Sequence, residues 1–271
     1  MELAPSPVKE AALKLNLPLM QPENASAPSV LAGIQELEPE CAVVVAYGQI
    51  LRRNFLEMPP RGCINLHPSL LPLYRGPTPI QSAILGDERK TGVTTMLLDE
   101  GMDTGDILLQ SELEITEDDT AGTLHDKLAG AGAELMVETL GAIESDNITP
   151  RSQNEADATI TQKIRKEDAV IDWKQSARAI FNRIRALDPM PGCQTSFRGE
   201  TLKIWRARPC DEPGRDAEPG KVLSVAQDSL IVKAGDGALR LLEVQRAGKK
   251  RMPIGEFLRG QKVEEGMVLG T

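Results

Sequence analysis

Apolar positions in the first half of the chain fall into short runs separated by stretches of helical spacing. Residues 41–46 form an unbroken run rich in β-branched side chains, the pattern of a strand buried on both faces. Residues 62–66, 93–98 and 107–115 supply three more strands, the last with partial alternation, and 17–20 reads as a short one. Between them the spacing turns helical. A first helix opens with Ser6 at the N-cap and Pro7 at the first helical position, carries Val8, Ala11, Ala12 and Leu15 on one face, and is closed by Asn16 and Pro18. Further helices are predicted over 29–37, 50–56, 77–85 and, longest of all, 120–143, where Leu124, Leu128, Leu135, Val137 and Leu140 recur. Strands alternating with helices predict an α/β fold with a mostly parallel, doubly wound sheet.

The text changes after this. From 148 to 157 it becomes polar, with Pro150, Ser152, Gln153 and Asn154, and the stretch 148–162 reads as a linker between a domain over 1–147 and another over 163–271. Beyond a helix over 176–187, short strands are predicted at 194–197, 202–205, 221–225, 230–232 and 239–244, with hairpin-like connectors at 198–200 and 235–237. Several short strands in so small a space predict a small β-barrel.

Charge sharpens this division. Residues 1–150 hold 9 Lys/Arg against 23 Asp/Glu, a balance of −14, whereas 151–271 hold 22 against 17, or +5. Within 160–210 the balance is +6, from 11 against 5, which allows either nucleic-acid contact or a solvated face of mixed charge. No apolar run approaches a membrane span, and residues 1–7 have the plan of neither a secretory signal nor a transit peptide. Cys41, Cys63, Cys193 and Cys210 show no CxxC pairing, so neither a disulfide framework nor a zinc knuckle is indicated. A soluble monomer of the cytoplasm is expected.

Two stretches can carry chemistry. In the first, Asn65 and His67 are two apart at the end of a strand, so both side chains point to one face, and Pro68 stops the strand there. Open α/β sheets bind ligands at such strand ends. His125, the only other histidine, sits within the long helix beside Asp126 and Lys127 and reads as a surface or half-buried residue. The second stretch gathers Asp99, Glu100, Asp103 and Asp106 around Gly101 and Gly105, which allow a tight loop with positive φ. The spacing does not match a calcium loop, and no metal is expected. One of these carboxylates meeting His67 would orient the imidazole and hold its charge. An amide, an imidazole and a carboxylate suit acyl transfer to an amine, with the amide on the oxyanion and the imidazole moving protons.

At these stretches a pattern is recognisable. Residues 65–72 with 101–105 resemble the folate-dependent formyltransferase family, and similarity extends over nearly the whole chain through 6–9, 74–76, 79–81, 191–197 and 202–205. The resemblance implies a Rossmann-like catalytic domain and an OB-like C-terminal barrel. It further implies formyl transfer from 10-formyltetrahydrofolate to the amino group of methionine on initiator methionyl-tRNA, a step of translation initiation. Carried over by motif, Asn65 is the oxyanion donor, His67 the acid/base and Asp103 its partner, chosen over Asp99 and Asp106 by the family pattern. Ser69, Leu70, Leu71 and Pro72 would form the loop against the folate. Lys163, Arg165 and Lys166, with Lys203, Arg206 and Arg208, would face the tRNA backbone. Members of the family place a βαβ unit of roughly 30–40 residues before the Ser6 helix. Its absence here implies exposed sheet edges and an uncertain activity. Competing readings are a formyltransferase acting on a small amine such as an amino-sugar nucleotide, and an inactive tRNA-binding remnant.

Overall fold

A computed structural model describes residues 5–211 and 216–270; Met1–Ala4, which precede the first helix, lie outside the described residues. The first module is built on a sheet of β1 (Ala42–Val44), β2 (Cys63–His67), β3 (Lys90–Leu97) and β4 (Ile107–Glu114), in that spatial order. Only β1 and β2 run parallel; β2–β3 and β3–β4 are antiparallel. The sheet is therefore mixed, not mostly parallel. Residues 98–106, the whole link from β3 to β4, are too few for a parallel return, which needs about a dozen residues or more.

Helix α1 (Pro7–Lys14) starts where the sequence predicts, with the Ser6 hydroxyl accepting from the Lys9 N–H at 3.3 Å, and its turn closes through Asn16 at φ 53°. After α2 (Pro28–Gln35), β1 departs from expectation. It is three residues long, and Val43 and Val45 are 44% and 54% exposed rather than buried on both faces. The expected strand over 17–20 does not form, and Leu17 and Met20 stay exposed. Among the described residues nothing pairs with the outer edge of β1, so apolar text alone does not bury it. An open apolar groove of about 470 Å³, walled by Val8, Met20, Val30, Ile34, Val44 and Phe55, lies on this side.

The other end of the sheet is firmly packed. α3 (Arg53–Leu56) is one short turn, while α4 (Pro79–Leu85) and α5 (Ala121–Glu144) sandwich Val93 of β3 with Ile80, Ile84, Leu124 and Leu128. Thr120 and Thr123 form a reciprocal cap at the start of α5. Gly132 lets α5 lie close on β2, because a Cβ there would overlap Leu66. The buried Thr95 and Thr139 hydroxyls, 2.8 Å apart, tie the helix to β3. With Leu66 and Thr95 facing α5, strand alternation turns Asn65 and His67, and their cross-strand partners Met96 and Thr94, to the opposite face.

In the second module, α6 (Ala177–Ala186) packs on an antiparallel sheet of β5 (Cys193–Phe197), β6 (Glu200–Cys210), β7 (Val222–Ala226), β8 (Ser229–Lys233) and β9 (Ala238–Arg246), ordered β5-β6-β9-β8-β7. β10 (Met252–Pro253) adds to β9 and leads into α7 (Ile254–Gly260), neither of which the sequence pattern suggested. No ladder joins β5 to β7 among the described residues, so the expected barrel closure is not observed. The C-terminal segment occupies that gap: Leu269 N donates to Gly220 O at 2.8 Å on one side and Gly270 N to Ser196 O at 2.9 Å on the other.

The modules are joined by more than a tether. Arg178 of α6 grips Asp87 and Glu117, the buried Arg185 guanidinium donates to the Thr116 and Asp119 carbonyls, and Ala186 belongs to the first module's core. The predicted linker is itself laid onto the first module. Arg151 and Ile107 exchange both backbone hydrogen bonds, at 2.8 and 2.9 Å, and Arg75 bonds through N–H and C=O to Thr159 and Thr161. Polar composition reads as a loose connector, but main-chain groups of Arg151, Thr159 and Thr161 pair with the first module while most side chains of the stretch stay exposed.

Candidate active site

The strand end at β2 is the centre of the site. Cys63 and Ile64 are fully buried beneath it, and burial pushes the Cys63 thiol up to about 11, so this cysteine is an inert core residue. Asn65 is half-buried, and its side-chain amide makes no hydrogen bond to any described residue. His67 is buried, 4% exposed. Its Nε2 lies 3.0 Å from the Tyr74 carbonyl oxygen and its Nδ1 lies 3.6 Å from Oδ2 of Asp103. A carbonyl only accepts, so the neutral ring carries its hydrogen on Nε2. Nδ1 is then the nitrogen whose proton can come and go. At 3.6 Å, Oδ2 of Asp103 faces that nitrogen from just beyond hydrogen-bonding distance.

Asp103 is held by its own loop. Its Oδ2 accepts from the Gly76 N–H at 2.7 Å, which aims one oxygen between that N–H and the imidazole. The expectation that Gly101 and Gly105 supply positive φ is not met. Asp103 itself takes the left-handed conformation, at φ 56°, which aspartate tolerates better than most residues. The two glycines are needed for a different reason: a Cβ on Gly105 would overlap the Leu97 carbonyl, and one on Gly101 the Thr104 hydroxyl. Asp99 ties off the same loop by accepting from the Thr104 hydroxyl and the Gly101 N–H at 2.8 and 3.0 Å. It is a brace for the loop, and Asp103 is the carboxylate that reaches His67.

Asn65, His67 and Asp103 share one cavity of about 320 Å³, whose remaining wall is largely apolar and includes Val45, Pro68, Ile80, Val93 and Leu128. His125 is exposed at its rim, paired with Asp126 at 3.2 Å. Ser69, Leu70, Leu71 and Pro72 do not line the cavity. Ser69 is fully buried with its hydroxyl donating to Leu73 O at 2.6 Å, and Leu71 packs with Met96 and Ile107. The fully buried Thr94 hydroxyl, opposite His67, donates to Ser69 O at 2.6 Å and accepts from Leu71 N at 3.2 Å. The loop is thus a lining behind the site, with only the adjoining Pro68 reaching the cavity.

The basic residues divide. Lys163, Arg165 and Lys166 are exposed, the first two beside an inter-module cleft of about 390 Å³ that also holds Thr78, Gln162 and Arg183. Arg206 is exposed as well. Lys203 and Arg208 are engaged internally: Lys203 donates to Pro191 O at 2.8 Å beside the Trp205 ring, and Arg208 pairs with Asp118 of the first module. Lys203 is an odd number of residues from Arg206 and Arg208, so strand alternation does not set the three cations on one face, and register shifts flank Arg206 in the pairing of β6 with β9.

Two residues that sequence reasoning left out complete the surroundings. Gln153 Nε2 donates to the Asp103 and Gly105 carbonyls at 2.8 and 2.7 Å, and its Oε1 accepts from Arg75 Nε at 3.0 Å. Arg75, 3% exposed, also clasps Glu155 with both terminal nitrogens, which holds the Glu155 carboxyl below its ordinary range. The signal for Gln153 was hidden in a stretch whose polarity reads as solvent exposure.

A formyl transferase family model matches residues 2–140, and a formyl transferase C-terminal domain model matches residues 163–262. The chain is 48% identical over 270 residues to a methionyl-tRNA formyltransferase of Caldanaerobacter subterraneus, covering 99% of this chain and 87% of that relative. It is 45% identical over 269 residues to one of Bacillus licheniformis, covering 99% and 85%. Among solved structures it resembles an N-formyltransferase from Helicobacter canadensis bound to folinic acid and dTDP-3-aminofucose, with TM-score 0.65 and 20% identity over 88% of this chain and 81% of that one. It also resembles HypX from Aquifex aeolicus in complex with tetrahydrofolic acid, with TM-score 0.64 and 21% identity over 89% and 44%. At those identities the last two speak for the fold alone.

Proposed function

The chain belongs to the methionyl-tRNA formyltransferase family, whose reaction formylates initiator methionyl-tRNA from a formyl-tetrahydrofolate, and we propose that Asn65, His67 and Asp103 carry that reaction out with 10-formyltetrahydrofolate as donor. The observation that supports this reading is that Asn65, His67 and Asp103 all line one cavity, with Asp103 facing Nδ1 of His67 and Nε2 committed to the Tyr74 carbonyl.

The methionyl amine attacks the formyl carbon, and the carbonyl electrons move onto oxygen. The Asn65 amide donates to that oxyanion, in the manner of a preorganised oxyanion hole. His67 Nδ1 takes a proton from the attacking nitrogen as the C–N bond forms. The resulting imidazolium faces Asp103, whose charge stabilises it. The tetrahedral carbon then expels N10 of the folate, and the proton on Nδ1 goes to that leaving nitrogen. The products are formylmethionyl-tRNA and tetrahydrofolate. No protein nucleophile is needed, because the acceptor amine supplies the attacking pair.

The apolar wall beside the three polar groups suits one end of the folate, and the 320 Å³ cavity is at the small end of ligand pockets. Lys163, Arg165, Lys166 and Arg206 are the cations left exposed for the tRNA backbone, and the second module is read as OB-like with its C-terminal segment in the gap between β5 and β7. The setting for the reaction is the cytoplasm; no helix among the described residues is long and apolar enough to cross a membrane.

The test is labelled formyl transfer to initiator methionyl-tRNA, with His67→Ala beside the parent chain. His67→Ala should lose about 10²–10⁴-fold in kcat. Equal rates would sink the catalytic assignment, and transfer to an amino-sugar nucleotide in preference to tRNA would sink the acceptor.

A further inference from the structure

Asp103 faces His67, yet only its side chain is tied to the β2 side of the site, through the Gly76 N–H. Its main chain is held from elsewhere. The 101–106 loop approaches Leu97 too closely for a Cβ on Gly105, and the carbonyls on either side of Thr104 both turn to a single donor group, Nε2 of Gln153. Gln153 is in turn fixed by Arg75, whose own backbone bonds to Thr159 and Thr161 and whose preceding carbonyl, Tyr74 O, receives the His67 ring. One short network therefore sets both partners of the imidazole, the carboxylate at Nδ1 and the carbonyl at Nε2. Its central members, Gln153 and Glu155, belong to the segment that connects the two modules.

We propose that Gln153, braced by Arg75, is a positioning residue for the formyl transfer: it holds the Asp103 carboxylate at the distance from His67 that stabilises the imidazolium, and so makes the inter-module segment part of the catalytic apparatus. This rests on the assignment of His67 and Asp103 given above. An amide is required chemically. The side chain must donate two hydrogen bonds to carbonyls while accepting one from a guanidinium, and at this length only glutamine offers both. Gln153→Glu keeps the acceptor for Arg75 but presents carboxylate oxygens to two carbonyl oxygens, so it reverses the interaction with the loop while preserving shape.

The experiment measures formyl transfer by the full chain under single-turnover conditions for Gln153→Ala, Gln153→Glu, Asp103→Ala, His67→Ala and the Gln153→Ala/Asp103→Ala double variant, with melting temperatures alongside. Gln153→Ala and Gln153→Glu should each lose about 10–100-fold in rate, the scale of a displacement on the order of 1 Å at a reacting group, with KM for both substrates within about threefold of the parent. In the Asp103→Ala background the Gln153→Ala change should cost less than about twofold further, because residues that act through one another are not additive. A merely structural role would instead multiply the two losses, and that result overturns the proposal. So does an unchanged rate in both Gln153 variants while His67→Ala loses its activity. If His67→Ala keeps the parent rate, it is the catalytic assignment itself that fails.

Discussion

Replacing Thr94 by valine tests how the site is backed. The two side chains have nearly the same shape, so packing is preserved and only the hydroxyl is lost. That hydroxyl is fully buried and makes three hydrogen bonds: it donates to Ser69 O at 2.6 Å and accepts from Leu71 N at 3.2 Å and from Gln110 Nε2 at 3.0 Å. Gln110 keeps a second acceptor in Leu71 O at 2.9 Å, so its loss is partial. The Ser69 carbonyl and the Leu71 N–H are left with no replacement among the described residues, on residues that are 0% and 3% exposed. Each orphaned buried group costs about 1–3 kcal/mol, so a total of about 2–6 kcal/mol is expected for the two. For a protein of this size that is a fall in melting temperature of roughly 5–15 °C. Because the loop carries Tyr74 at its far end, turnover should fall about tenfold or more alongside. Thr94→Ser, which keeps the hydroxyl, should lose only about 1 kcal/mol. Urea denaturation of the full chain with parallel transfer assays reads both effects. A Thr94→Val variant within about 0.5 kcal/mol of the parent would refute the reasoning, since it would mean the loop is held by packing alone.

Two further outcomes follow from the module joint and the basic cleft. Removing Lys163, Arg165 and Lys166 together should flatten the dependence of log affinity for tRNA on log salt by about 2, and an unchanged slope would remove these residues from the interface. Arg178 and Asn182 hold the Asp87 carboxyl below its ordinary value of 3.8, so the stability this pairing adds is fully present above about pH 4 and is lost as pH falls through the depressed value. With side chains 42% and 44% exposed the contribution is screened to about 0.5–1 kcal/mol. Arg178→Ala also removes the Glu117 pair, which is lost in the same acid direction, and a contact with the Phe181 ring, which does not titrate. The variant should therefore lose more stability at pH 7 than below that acid window, and the same loss at both pH values would contradict the assignment.

Helix boundaries and the β2 end were legible because they depend on local chemistry. Ser6, Pro7, Thr120 and Ser176 are capping signals that act within one turn, and each sits where its helix begins. The strand direction of β3 and β4 was less so. Alternating helices and strands suggest parallel pairing, but the short 98–106 link decides otherwise. Residues 41–46 misled in another way: a β-branched run records what a strand prefers to bury, not whether neighbours cover it, and Val43 and Val45 stand open. At the site, Asn65 and His67 could be placed on one face from spacing alone, whereas Asp103 could not be told from Asp99 or Asp106, because the choice lies in which carboxylate the loop aims inward. Lys203 and Arg208 count as positive charge in any tally, yet a carbonyl and an aspartate already engage them. Gln153 gave no signal, since a polar residue in a polar stretch looks the same whether water or protein satisfies it.

The way residues 151–161 lie along the first module bears on how such a chain can be taken apart and rebuilt. A hybrid that joins the first module of one relative to the second module of another is naturally cut in the polar stretch between them. A cut placed before Arg151 would deliver Gln153, Glu155 and the Thr159–Thr161 pairing from the foreign parent, and with them the support beneath both ends of the His67 ring. A cut placed after Thr161 keeps the catalytic half with its own wall. The usable seam between the two halves therefore runs at the far end of the connector, and this stretch is inherited with the first module, not with the second.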